Sequence, residues 1–376
     1  MGKYSLIKVC PGSIKSDDVL YNSATGNEEK LSKLYVLRGS KPEEVALLNA
    51  GDIGAIGKAN CSTGDTLSTK AAPIVYEKTE VSTPYFYQAY SAKKKGEEDK
   101  IAQALGKLMD EDLTLKTFND AENHQTLLYG MGDQHLSVVV STLLEKYKVE
   151  IELSTPRVAF RETLRKKADV EYKYKKQSGG HGQYGHVKMR FEPSQDPEKA
   201  YVFAECVVGG AVPKNYFPAV EKGLDASVES GPLAAYPVVG VKATLYDGSY
   251  HPVDSSEQAF KMATIQAFKK GFMEAGPVLL EPIASLKVTV PDSYTGDVMG
   301  DLNKRRGRVL GMNPVAGGKQ VVEAEIPMTG LYGYCTVLRS MTGGRGTYEY
   351  EFIRYEQAPS DVQEKVIAEN AAEEEA

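Results

Sequence analysis

Nineteen residues, KKQSGGHGQYGHVKMRFEP (175–193), hold four glycines, two histidines and a basic flank. Glycine-rich turns let backbone N–H groups approach phosphate closely, and lysines beside them add charge. The stretch therefore suits either a nucleotide or a larger polyanion. Its candidate contacts are Ser178, Gly179, Gly180, His181, Gly182, Gln183, Tyr184, Gly185 and His186, flanked by Lys173, Lys175, Lys176, Lys188 and Arg190. A second candidate is LYDGSYHPVDSSE (245–257), where Tyr250 and His251 precede Asp254 and Glu257 at capping-box spacing. A helix N-terminus preceded by an aromatic and an imidazole suits a phosphate or a base edge; an ordinary polar β–α loop is the alternative. A third, GDLNKRRGRVLG (300–311), sets Lys304, Arg305, Arg306 and Arg308 within five positions. RNA phosphate is the natural partner of such a cluster, and a solvated helix end the plainer reading.

Other chemistries find no support. A nucleotide hydrolase needs GxxxxGK[ST], and the nearest approach, GDIGAIGKAN (51–60), has Asp52 for the first glycine and Ala59 for the hydroxyl that would ligate magnesium. No nucleotide site is expected in the chain. His181 and His186, like His124 and His135, lack neighbours that would complete a metal set, so no metal is expected. The serines of DSSE (254–257) stand at a helix start, where capping explains them better than nucleophilic catalysis. No catalytic site declares itself, and a phosphate-handling metabolic enzyme is the weakest reading.

The elements that must position these loops fall into several domains, as 376 residues require. Residues 1–80 read as short strands between turns, part of a β-barrel. Residues 81–155 read β-α-β-β-α-β: PYFYQAY, KKKGEEDKIAQALGKLMDED, LTLKTFND, QTLLYGMG, DQHLSVVVSTLLEKY and KVEIEL. Residues 281–360 repeat that order, and both copies carry a Gly-Asp pair near a helix start, Gly132-Asp133 and Gly296-Asp297. This is the split βαβ of ferredoxin-like domains. Residues 156–280 form a different α/β segment, and 361–376 a short helix from about Asp361 to Glu369 with a frayed acidic tail. The fold class is multidomain α+β.

The net charge is −6, yet Arg161 to Arg190 contains nine Lys/Arg against three Asp/Glu. A basic segment in an acidic chain is a focused contact surface. Cys10, Cys61, Cys206 and Cys335 form no CxxC pair and read as buried free thiols. No stretch approaches a membrane span and no signal-peptide pattern opens the chain, so a cytoplasmic location is expected.

YKKQSGGHGQYGHV, YHPVDSSEQAFK, PVLLEPI, TGDVMGDLNKRRGRV, GYCTVLRSMTGGRGTYEYEF and QTLLYGMGDQHL resemble stretches of bacterial elongation factor G, a translational GTPase family, and AGDIGAIGKANCSTGDTL resembles its second domain. The resemblance covers essentially the whole chain. It implies a partial domain II (1–80), ferredoxin-like domain III (81–155), ribosomal protein S5-like domain IV (156–280) and ferredoxin-like domain V (281–360). It also implies that the G domain and the first part of the barrel are missing. GTP and Mg2+ are then expected only in that G domain, and the full-length parent is expected to be a GTPase.

By the same resemblance, the loop 178–186 and the loop around His251 form the tip that enters the decoding site and contacts the tRNA–mRNA duplex during translocation. Lys304, Arg305, Arg306, Arg308 and Arg345 of TGGRG (342–346) would face ribosomal RNA. The implied partner is the ribosome, through RNA of both subunits, with neither membrane nor DNA, and the chain is expected to be a monomer. His181 and Pro252 depart from residues common in the family. A paralogue for ribosome recycling or protection, and a stand-alone ribosomal RNA-binding protein that was never a GTPase, stay open beside the translocase.

Overall fold

A computed structural model describes residues 3–39, 41–121, 123–176 and 182–374. Ser178, Gly179, Gly180 and His181 lie outside the described residues. The chain forms two compact bodies, residues 1–119 with 126–154, and residues 120–125 with 155–376.

The first body opens with short strands: β1 Tyr4–Lys8, β2 Ser13–Lys15, β3 Val19–Asn22, β4 Asn27–Lys30, β5 Leu34–Arg38. These continue with β6 Lys41–Val45, β7 Leu47–Asn49, β8 Ile53–Gly57 and β9 Leu67–Ser68. They assemble as three small sheets, β1-β8-β5-β6, β2-β7 and β4-β3-β9, rather than one closed ring. Leu20, Leu31, Leu34, Leu48 and Ile56 fill the space they enclose. The P-loop-like GDIGAIGKAN proves to be strand β8, with Ala55 and Ile56 fully buried.

Next come β10 Phe86–Ala92, α1 Glu98–Glu111, β11 Lys116–Asp120, β12 Gln125–Gly130, α2 Asp133–Thr142 and β13 Ile151–Ser154. The sheet order β11-β12-β10-β13 is the ferredoxin-like arrangement. Helix α1 buries Ile101, Ala104, Leu105 and Leu108, the spacing of one apolar face.

The second body contains β14 Arg161–Leu164, β15 Ala168–Lys176, β16 Gln183–Pro193, β17 Tyr201–Glu205, α3 Phe217–Val228, β18 Val241–Ser249 and α4 Glu257–Glu274. Its second sheet is built from β19 Pro277–Pro291, α5 Thr295–Lys304, β20 Arg308–Val315, β21 Lys319–Pro327, α6 Tyr334–Thr342 and β22 Thr347–Gln357, followed by α7 Ser360–Glu374. Strands β15-β16-β18-β17 form one sheet, with β17 and β18 parallel and joined through α3. Val187, Met189, Phe191, Ala243 and Leu245 face the helices and pack on Val220, Leu224, Phe260 and Phe268. Helix α3 has no counterpart in the sequence reading, although Pro218 in its first turn and buried Val220, Leu224 and Val228 are helix signals.

The second ferredoxin-like unit has the same strand order as the first, β20-β21-β19 with β22 on the other side of β19. It also recruits β14, whose residues 161–164 pair with 280–277 of β19. The expected frayed tail is instead the continuation of α7. Val362, Val366 and Ile367 pack on Phe160, Ala234 and Leu279, and the Asn370 side chain donates to the Ala234 carbonyl at 2.8 Å. The thiols also differ from expectation: Cys335 is buried, whereas Cys10 and Cys206 are exposed.

Glu162, on β14, is fully buried, and its carboxylate accepts backbone N–H groups of Leu233, Ala234 and Tyr236 at 3.0, 2.7 and 3.1 Å. Burial pushes its pKa up, and the three N–H groups pull it back. A methyl side chain at this position strands three buried donors. Glu162→Ala is therefore expected to lower stability by about 2–4 kcal/mol, measured by urea unfolding. A loss below ~0.5 kcal/mol, the range of a neutral surface change, would remove this carboxylate from the account of the junction.

Candidate nucleic-acid interface

Three strands bring the predicted residues together at one end of the β15-β16-β18-β17 sheet. The register pairs Lys175 with Tyr184, Lys173 with His186, and His186 with Ser249. Successive residues alternate across a sheet, so Asp169, Glu171, Lys173 and Lys175 share the face opposite the helices with Tyr184, His186, Lys188 and Arg190. A bulge at Lys188/Met189 inserts Tyr246 into β18 and returns Asp247 to that face.

Charge is graded along this face. Toward the base, Lys188 pairs with Asp247 at 2.8 Å and Arg190 with Asp169 at 2.7 Å, while the Arg190 guanidinium lies 5.6 Å from the Tyr246 ring centre. Toward the loop end, Lys173 and Lys175 on this face, and Lys176 on the other side of the strand end, are exposed and have no carboxylate partner among the described residues.

Loop 250–256 is clasped onto the start of β16. Asp254 Oδ1 accepts the Gly182 N–H at 3.0 Å, and the Asp254 carbonyl accepts the Tyr184 N–H at 2.8 Å. Ser255 Oγ donates to the Tyr184 carbonyl at 2.9 Å and accepts the His251 N–H at 2.8 Å. The expected capping role of Asp254 is corrected here. Ser256 is the N-cap of α4, accepting from the Ala259 N–H at 3.2 Å, and Asp254 ties two loops instead. His251 Nδ1 accepts the N–H groups of Asp254 and Val253 at 3.1 and 3.3 Å, which leaves the proton of the neutral ring on Nε2. The His251 and Tyr184 rings lie 6.3 Å apart, and Tyr250 is exposed.

Two predicted contact residues turn inward. Gly185 is buried, and an added Cβ would stand 2.4 Å from the Ala259 carbonyl oxygen of α4. His186 is 6% exposed and sits within a relay. Its Nε2 donates to Glu171 at 2.8 Å, Ser249 Oγ donates to Nδ1 at 2.6 Å, and the Tyr184 hydroxyl donates to Ser249 at 2.7 Å. These donor roles follow from the carboxylate, which can only accept. The Ser-His-Glu order suggests nucleophilic catalysis, but Ser249 Oγ is already shared with Tyr184, and the arrangement holds the tyrosine in place. Burial lowers the His186 pKa against the pull of Glu171.

In the last domain each predicted arginine has an internal partner. Arg305 pairs with Asp301 at 2.8 Å and donates to the Gly330 carbonyl, and Arg306 makes a bidentate pair with Glu281, which is 3% exposed. Arg308 and Arg354 meet Glu325, whose carboxyl is held at about 2, mainly through the Arg354 hydrogen bond. Arg345 bonds the Tyr294 hydroxyl and lies over its ring. Lys304 is exposed, and Arg306 and Arg308 are exposed as well despite their ion pairs. Among the described residues, no group of three or more His, Cys, Asp or Glu is placed to hold a metal, and no helix is long and apolar enough to cross a membrane.

The sequence reading overlooked the loop 206–213, CVVGGAVP, although a Gly-Gly turn between a strand and a helix marked it. It leaves β17 beside the end of β18: the Cys206 N–H donates to the Leu245 carbonyl, and Val212 packs against Gly248.

Four family models match along the chain. They are described as elongation factor G domain 2 (residues 1–70), elongation factor G domain III (81–155), elongation factor G domain IV (156–276) and elongation factor G C-terminus (278–366). A crystal structure of a protein from Thermus thermophilus aligns with a TM-score of 0.78 and 39% identity, over 99% of this chain and 56% of that one. The chain thus spans little more than half the length of that relative.

Two consequences can be measured. Gly185→Ala forces a methyl into helix backbone and should cost about 1–3 kcal/mol of stability in thermal or urea unfolding. A neutral result would mean that α4 is free to retreat. His186 should titrate below the ordinary histidine value of about 6.5 in an NMR pH series, and Glu171→Gln should lower it further. Because folding disfavours the protonated ring, the stability this residue contributes is complete above ~6.5 and is lost as pH falls toward the folded value. Titration at or above 6.5 would contradict the buried neutral relay.

Proposed function

The chain belongs to the elongation factor G family, and from that premise we propose that it is the ribosome-facing part of a translation factor, with residues 156–276 contacting RNA at the decoding site. In this reading a G domain outside this chain hydrolyses GTP, and the body of residues 155–376 converts that event into movement of tRNA with mRNA. The observation that carries the proposal is the graded sheet face. Lys173, Lys175 and Lys176 remain available at the end where Tyr184, Tyr250 and His251 gather, while Lys188 and Arg190 are internally paired. Cations neutralise phosphates, and aromatic or imidazole rings meet bases and riboses. The last domain is the weaker RNA surface in this reading, since the charges of Arg305, Arg306 and Arg308 are offset by carboxylate partners, although Arg306, Arg308 and Arg345 stay exposed. A catalytic reading finds no comparable support, because the Ser-His-Glu relay is closed by a tyrosine.

Co-sedimentation with 70S ribosomes across a salt series tests this. Binding should weaken as salt rises, and changing Lys175 and Lys176 to Glu should reduce the slope of log affinity against log salt by about 1.5–2. His251→Ala in the same background should weaken binding further. Salt-independent binding, or binding unaffected by these changes, would remove the tip from the ribosome contact.

A further inference from the structure

Exposed apolar side chains within residues 156–276 are concentrated at the loop end. Among the described residues of that segment, the large exposed ones are Val208 (84%), Val253 (62%), Tyr250 and Met273, and three of these four follow the loop-end termini of β17 or β18. Val208 is the most exposed large apolar residue of the described chain. Leaving such a side chain in water has no packing rationale, and apolar groups gathered at one place mark an interaction surface.

The loop that carries Val208 is held in position from both sides. Val212, 1% exposed, anchors it in the core beside Gly248, and beyond it Tyr216 stacks on Phe260 with ring centres 4.5 Å apart. The Tyr216 hydroxyl donates to the Ser255 carbonyl at 3.3 Å, which ties this loop to the one carrying His251. Between these anchors Gly209 and Gly210 turn the chain through left-handed conformations, φ +68° and +71°. Val208 is thus presented outward from an anchored loop.

We propose that the loop 206–213 is a third element of the RNA-facing end, with Val208 meeting the ribose and base side of the strand whose phosphates the lysines neutralise. The strand order gives the surface its logic. Across the end of the sheet the sequence runs from the lysines of β15, through Tyr184 and the His251 loop beside β16 and β18, to the apolar loop leaving β17. Cationic, aromatic and apolar zones in that order match the phosphate, base and sugar faces of an unpaired or shallow-groove RNA. The inference rests on the ribosome reading above and names a contact that neither the glycine loop nor the His251 loop includes.

Val208→Ser removes the apolar group without adding charge, and its exposure means that thermal stability should not change. Affinity for 70S ribosomes should fall about 5–10-fold, the scale of one aliphatic side chain, with the salt slope unchanged. In parallel, an iron chelate is tethered to Cys206 after Cys10 and Cys61 are changed to Ser, and it should cleave ribosomal, messenger or transfer RNA locally. If Val208→Ser binds as the unmodified chain while the Lys175/Lys176 change abolishes binding, the loop is not a contact although the tip is. Weakened binding without RNA cleavage from Cys206 would assign the loop to a protein and overturn the RNA partner. If both variants bind like the unmodified chain, the ribosome reading fails first and this inference with it.

Discussion

The second body is organised by how closely helix α4 can be approached. A Cβ on Gly185 would lie 2.4 Å from the Ala259 carbonyl oxygen, and one on Gly223 of α3 would lie 2.8 Å from the Lys261 carbonyl oxygen. Both obstacles are helix backbone, which cannot rotate aside as a side chain could. Because α4 is pinned from the sheet and from α3, its first turn has one position. The Ser256 cap, the Asp254–Gly182 bond and the Ser255 bridge to Tyr184 and His251 all follow from that position. The loop 250–256 is therefore held on packed elements, the condition under which a narrow site can be entered without reordering cost.

Charge is arranged by the same framework. Solvated ion pairs such as Lys188–Asp247 and Arg190–Asp169 add little stability, but they remove two cations from the surface and leave the excess at the loop end. Beneath it, in the Tyr184–Ser249–His186–Glu171 relay, His186 is buried enough for desolvation to outweigh the carboxylate and lower its pKa, and with a neutral ring the donors and acceptors run in one direction. The last domain solves a different problem. Its arginines pair with Asp301, Glu281 and Glu325, and Arg306 grips Glu281 with two N–H groups, a geometry that favours guanidinium over lysine.

Residues 156–276 and the C-terminal unit share structure as well as a border. Strand β14 lengthens the sheet of the C-terminal unit, Glu162 on that strand reaches back to three backbone donors, and α7 packs across Phe160 and Ala234. The two parts of this body are thereby joined by a shared strand, a buried carboxylate and a packed helix.

Local information determined most of the elements by itself. Alternation and turn residues located the strands, and the β-α-β-β-α-β order appeared twice, because each of these depends on neighbours within a few positions. Tertiary structure alone decided which members of a motif face outward. His186 and Gly185 read like the rest of the glycine loop, yet α4 and three paired strands enclose them. Arg306 reads like a free cation, yet Glu281, distant in sequence, holds it. Helix α3 and the Val208 loop were legible in their apolar spacing and Gly-Gly turn, but their relation to the His251 loop depends on the parallel β17–β18 crossover. Burial and charge pairing are set by residues that meet only in space, and no periodicity within one segment encodes that meeting.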